Sequence, residues 1–163
     1  MKAKISVNRI LLCAVVISLL PGCGNPDIKD KTEVSKGIFS KGKQGPSTTF
    51  TGVAYNVGLV DPDSVYTTAV GNVYFEPGAR SHWHSHPGGQ ILVITDGVGY
   101  HQIKGQQKQT LHKGDVVKCP PNTLHWHGAS ADTGMQQLYM VPNTEKGIVD
   151  WKQAVTDEEY SGN

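Results

Sequence analysis

The sequence predicts an all-β domain, a sandwich or barrel of many short strands. Two observations predict it. Short segments rich in β-branched and aromatic residues recur at 49–57, 69–76, 90–95, 98–103, 115–118, 125–129 and 135–141. Turn signals separate them, namely Asp61-Pro62-Asp63, Pro77-Gly78, Pro87-Gly88-Gly89, Asp96-Gly97, Lys113-Gly114 and Pro120-Pro121-Asn122. Short strands spaced by such punctuation indicate a sandwich or barrel, and 19 glycines and 9 prolines agree with many turns. No long segment keeps a helical period before Gly147, and residues 149–160 are expected to form a short C-terminal helix.

At 163 residues the chain suits one domain. The first 22 residues read as an address. Residues 1–9 carry Lys2, Lys4 and Arg9 with no acid, residues 10–20 are apolar, and Leu20-Pro21-Gly22-Cys23 follows. A positive start, a short apolar run and a small residue before the cut describe a secretory signal. The run is too short to span a bilayer in the mature protein. A cysteine after Leu-x-Gly resembles the bacterial lipobox, which implies lipidation of Cys23 and attachment to a membrane. An ordinary cut near Gly22, releasing a soluble periplasmic protein, is the other reading. Residues 23–43 then form the lipidated cysteine and a Lys-, Gly- and Ser-rich tether, and 44–163 the folded domain. Gly24-Asn25 lacks the aspartate that often retains lipoproteins on the inner membrane, which points to the outer membrane.

Beyond the signal, 12 basic residues face 14 acidic ones, a net charge of −2. That excludes the basic footprint of a nucleic-acid binder. Of the three cysteines, Cys13 lies in the apolar run and Cys23 just after it, so Cys119 stands alone in the domain. No intrachain disulfide framework exists, and Cys119 reads as a small buried hydrophobe.

The histidines carry the chemistry. Five of seven fall in two clusters, His82-Trp83-His84-Ser85-His86 and His125-Trp126-His127. Side chains of a strand alternate faces, so His82, His84 and His86 share one face, as do His125 and His127. Imidazoles at i and i+2 can converge on one ion, and such ligands suit Zn, Cu, Fe and Ni, with Mn where oxygen ligands join. Trp83 and Trp126 fall on the other face and are expected to pack between sheets or at a subunit contact.

The spacing resembles the cupin superfamily. Gly78, His84-x-His86, Gln90 and Gly97 keep the distances of the first cupin motif. Gly114, Pro120-Pro121-Asn122 and His125 keep those of the second. Gln90 stands for the usual glutamate, Asn122 for glycine and Ala129 for asparagine; asparagine tolerates the left-handed turn conformation. Phe75-Glu76-Pro77-Gly78-Ala79-Arg80, Gly114-Asp115-Val116-Val117, His125-Trp126-His127-Gly128-Ala129 and Val149-Asp150-Trp151 further resemble cupin-type hydroxynitrile lyases and small cupins associated with carboxymuconolactone decarboxylases. This implies a jelly-roll-like barrel and one divalent ion on His84, His86, Gln90 and His125. Val73, Gln137 and Tyr139 are expected to line the pocket, by strand parity and by the resemblance, with His82 at its rim or behind the ligands rather than a ligand itself. Gln137 occupies a position that is histidine in some of the lyases.

His127, two residues from His125, is expected to face the same cavity, either as a general acid or base or as a polar lining group. Three readings follow. One is a metalloenzyme of lyase, isomerase or decarboxylase type acting on a small oxygenated molecule, with the metal as Lewis acid. Another is a quercetin-dioxygenase-like oxygenase. The third is a non-catalytic lipoprotein that binds a small ligand or metal. A homodimer is expected, since small cupins commonly pair and an exposed edge strand invites it.

Overall fold

The computed structural model describes residues 37–162. The signal segment, Cys23 and most of the tether lie outside the described residues. The domain is a curled antiparallel sheet of twelve strands. In chain order these are β1 (Lys43–Gln44), β2 (Phe50–Thr51), β3 (Ala54–Val60), β4 (Ala69–Phe75), β5 (Arg80–Ser81), β6 (His84–Ser85), β7 (Gln90–Ile103), β8 (Gln109–His112), β9 (Val116–Cys119), β10 (His125–Ala129), β11 (Met135–Val141) and β12 (Asp150–Trp151). One short helix, α1 (Asp157–Ser161), follows. The main path runs β1-β3-β4-β11-β7-β10-β5-β2, with β8 and β9 on β7, β6 on β10 and β12 on β6.

The strand β7 holds the two halves together. Its first part pairs with β9 and β11, its last part with β8 and β10. The sequence predicts a turn at Asp96-Gly97; the chain instead runs straight through as one strand of 14 residues. The reason is local. Gly97 takes φ +80, and the register against β11 slips so that Gln136 faces Asp96 while Gln137 faces Ile94. Thr95 is the extra residue of a bulge, which bends a strand without ending it.

Residues 49–57, expected as one strand, are two. Gly52 at φ +78 turns the corner, sending β2 to β5 and β3 to β4. The polar strand β8 carries only Leu111 inward and has no alternating signal to betray it. Of the expected helix over 149–160, the first part forms β12 against β6. Helix begins only at Asp157, behind a capping box of Thr156 and Glu159.

Ala54, Val73, Phe75, Ala79, Leu92, Ile94, Leu111, Val117, Ala129 and Met135 form the main core. A second cluster joins Trp83, Trp126 and Val155, with Tyr100, Leu124 and Tyr160 against it. The two tryptophans therefore do point away from the imidazoles, but they pack beneath the C-terminal tail rather than between sheets. Trp83 Nε1 donates to Glu159 and Trp126 Nε1 to Gln102. The buried Arg80 guanidinium ties the tail down, donating to the Val155 carbonyl at 3.0 Å and to Asp157 at 2.6 Å. Truncating either tryptophan to alanine removes about 3–5 kcal/mol of packing.

Candidate metal centre

The site forms where β6, the start of β7 and β10 meet. His84 lies opposite His125 across the β6–β10 pair, so two imidazoles face each other by register alone. Their ring centroids are 4.3 Å apart. His86 comes within 5.1 Å of His84 and 5.6 Å of His125, centroid to centroid. Gln90, first residue of β7, brings Oε1 to 3.0 Å from His125 Nε2. His127 joins from the next inward position of β10, 5.1 Å from His84. All five side chains are buried. One nitrogen each of His84, His125 and His127 lie within 4.8 Å of one another, a cluster compatible with a metal ion.

Each ring is held from behind. His84 Nδ1 meets the His82 carbonyl at 2.9 Å, His86 Nδ1 the Ile148 carbonyl at 2.6 Å and His125 Nδ1 the Thr123 carbonyl at 2.8 Å. A carbonyl accepts only, so each Nδ1 carries the proton and each Nε2 keeps its lone pair. Burial keeps these rings neutral. It holds His125 down at about 3 despite the Thr123 carbonyl. It lowers His86, against the Ile148 carbonyl. For His84 burial acts first and the neighbouring His125 second.

His125 and Gln90 test whether a cation fits. With Nδ1–H given to Thr123, Nε2 is a lone pair aimed at another acceptor, Gln90 Oε1. Moving the proton to Nε2 only transfers the conflict to Thr123. A buried ring that stays neutral to about pH 3 cannot protonate both nitrogens. Turning the Gln90 amide over would make the contact an N–H to Nε2 hydrogen bond; with Oε1 facing the ring, a cation held by both atoms removes the conflict. Two ligands at right angles on bonds of about 2.1 Å stand about 3 Å apart, which matches the spacing found. His86 Nε2, buried and without a hydrogen-bond partner among the described residues, adds a further free donor atom. The residues present fit a divalent ion.

A cavity of about 280 Å³ opens beside them, with His84, His86, Gln90 and His127 in its wall. Val73 and Tyr139 line it as strand parity expects. Phe50, Asn56, Val141, Ile148, Val149 and Trp151 complete the lining, so among the described residues no charged side chain borders it. Burial raises the Tyr139 hydroxyl, and a hydrogen bond with Asn56 acts the other way.

Two expected pocket residues sit elsewhere. His82 is not in the cavity wall; its carbonyl, not its ring, serves the site. The chain bends between β5 and β6 at His82-Trp83, which breaks the alternation. Gln137 lies wholly behind His127, its Nε2 2.9 Å from His127 Nδ1.

No local motif points to His101. It is buried opposite His127 on β7, its Nε2 3.1 Å from Cys119 Sγ and its ring 5.6 Å from that of His125. Burial lowers His101 to about 4, with Gln109 opposing, and raises the Cys119 thiol to about 12. The pair is neutral, and Cys119 is the buried hydrophobe expected. The only signal for His101 is cross-strand register. Trp151, whose ring lies 4.7 Å from that of His84, and Ile148, whose carbonyl holds His86, come from the tail and carry no local motif.

Known proteins resemble the chain in sequence and fold. Residues 71–141 match the cupin domain family. An (R)-mandelonitrile lyase from Granulicella tundricola is 41% identical over 124 residues, spanning 76% of this chain and 94% of the relative. The crystal structure of a cupin-like protein from Thermotoga maritima is 47% identical, covers 77% of this chain and 95% of that one, and superposes with a TM-score of 0.75. A cupin-2 domain from Rhodospirillum rubrum, 21% identical over 74% of this chain and 77% of that one with a TM-score of 0.55, shares the fold. Barrel, histidine cluster and relatives agree, and the chain belongs to the cupin family.

Proposed function

We propose that the protein is a divalent-metal-dependent lyase for a small, neutral, hydroxyl-bearing molecule, with His84, His86, Gln90 and His125 as the metal ligands. The observation that carries this is the trio of buried imidazoles, His84, His86 and His125, each held at Nδ1 by a backbone carbonyl so that Nε2 keeps a lone pair, with Gln90 Oε1 3.0 Å from His125 Nε2. Three imidazoles and an amide are uncharged, so an ion held there keeps its double charge and supplies Lewis acidity toward a substrate oxygen. The rest belongs to the chain itself. The backbone carbonyls behind the three rings keep their lone pairs aimed inward. Phe50, Val73, Val141, Ile148 and Trp151 give the cavity its apolar wall, which excludes water and suits an uncharged substrate body. His127 brings a ring nitrogen to the same wall for hydrogen bonding or proton transfer beside the reacting oxygen.

Mandelonitrile is the first compound to try, because the Granulicella relative is named for it. Protein reconstituted with manganese or zinc is expected to release benzaldehyde from it, read by ultraviolet absorbance. Metal-stripped protein and the His84→Ala variant should release none above background. Equal release from all three preparations contradicts the proposal. Turnover of a flavonol with oxygen uptake by an iron- or copper-loaded protein would assign the oxygenase chemistry instead.

We further propose that the domain is exported and anchored through lipid on Cys23. Radiolabelled palmitate should enter the full chain in a bacterial host and be absent from Cys23→Ser. Equal labelling of both would refute the anchor.

A further inference from the structure

Four buried histidines gather at the site, three of them in the cavity wall, and what meets their Nδ1 atoms sorts them into two kinds. Behind His84, His86 and His125 stand backbone carbonyls at 2.9, 2.6 and 2.8 Å. Behind His127 stands an amide nitrogen, Gln137 Nε2, at 2.9 Å. A carbonyl demands a proton on Nδ1, whereas an amide N–H demands a lone pair there. A neutral ring has one proton to place. His127 therefore differs from its three neighbours in the atom it offers the cavity.

We propose that Gln137 is a positioning residue that fixes the proton of His127 on Nε2, so that this ring is a hydrogen-bond donor to a ligand beside the ion and not a fourth imidazole ligand. The role beside the ion rests on the metal-centre reading above; the proton position does not. Gln137 is fully buried and its Oε1 finds no partner among the described residues. Turning the amide over would strand both of its N–H groups instead, and orphaned buried N–H groups are rarer than under-satisfied carbonyls. His127 Nε2 is likewise buried without a partner among the described residues, in a ring that lines the cavity. Phe75 packs edge-on against that ring, centroids 5.7 Å apart, and the His127 backbone N–H donates to Ser81 Oγ. The ring is braced, and its free N–H awaits an acceptor. A ligand that satisfies the site carries two electron-rich atoms close together, one for the ion and one to accept from His127.

The experiment is nitrogen NMR of the protein with ¹⁵N-labelled histidine, first without metal. His127 is expected to show a protonated, pyrrole-like Nε2 and a pyridine-like Nδ1. His84, His86 and His125 are expected to show the reverse. In Gln137→Glu the carboxylate accepts, and the one-bond proton coupling of His127 should move from Nε2 to Nδ1, a change that a purely structural role for Gln137 would not produce. Zinc should then shift Nε2 of His84, His86 and His125 in the wild type while His127 keeps its Nε2 proton. A wild-type His127 already protonated on Nδ1, or one that gives up its Nε2 proton to zinc, overturns the proposal. Zinc that moves none of the four rings instead refutes the metal-centre reading and, with it, the role beside the ion, while the metal-free spectrum still decides the proton position.

Discussion

Replacing Gln90 by leucine should strengthen the metal-free fold and reduce what metal adds to it. Gln90 is 5% exposed and His125 fully buried, so their facing acceptors are largely withdrawn from solvent. A buried polar group left unsatisfied costs about 1–3 kcal/mol. Leucine removes that penalty and fills similar space with apolar atoms. With a urea m-value of about 1–3 kcal/mol/M, a gain of about 1–2 kcal/mol raises the midpoint by roughly 1 M. Zinc closes most of that gap. A ligand at a hundred times its Kd stabilises the native state by about 2.7 kcal/mol. A variant lacking one ligand atom and binding tenfold more weakly gains about 1.4 kcal/mol less. Urea titrations of both proteins, with chelator and with excess zinc, read both effects. A Gln90→Leu protein that is less stable by about 1 kcal/mol without metal, and gains as much from zinc as the wild type, would refute the reasoning. Gln90 would then make an ordinary hydrogen bond to His125.

Acid should unfold the metal-free protein early. The folded chain protonates His101 only near 4 and His125 only near 3, whereas an unfolded histidine does so near 6.5. Between those values the unfolded state binds more protons, so stability is full above about pH 6.5 and falls below it, by up to about 1.4 kcal/mol per pH unit for each ring. Urea midpoints that stay constant from pH 7.5 to 5 would contradict this. Gly128→Ala should destabilise by about 1–3 kcal/mol or more, because a Cβ there meets the Ala79 carbonyl at 2.5 Å and Arg80 Cα at 2.6 Å. A melting temperature within a degree of wild type would show that β10 can move off β5.

The histidine cluster was legible because its members fall in two short runs, and period two sets the faces of His84, His86, His125 and His127 without help from distant chain; Gln90 entered through the cupin-like spacing. Val73 and Tyr139 followed from the same parity. His82 did not, since parity holds only along an unbroken strand and the backbone bends at Trp83. Asp96-Gly97 reads as a turn in any local context, and only pairing with β11 carries the chain through it as a bulge. The outward direction of Trp83 and Trp126 was visible. Their partner Val155 was not, because nothing in the sequence near 155 says which surface the tail will cover. His101 and the amide of Gln137 are lone polar residues within strands, and their roles exist only once β7, β10 and β11 are side by side.

The central claim is that His84, His86, Gln90 and His125 hold one divalent ion. Elemental analysis of purified wild type, His84→Ala and His125→Ala, each expressed with export and gel-filtered after metal loading, tests it most directly. One zinc or manganese per wild-type chain and a content near zero in both variants is the expected result. Equal metal in all three proteins would contradict the account.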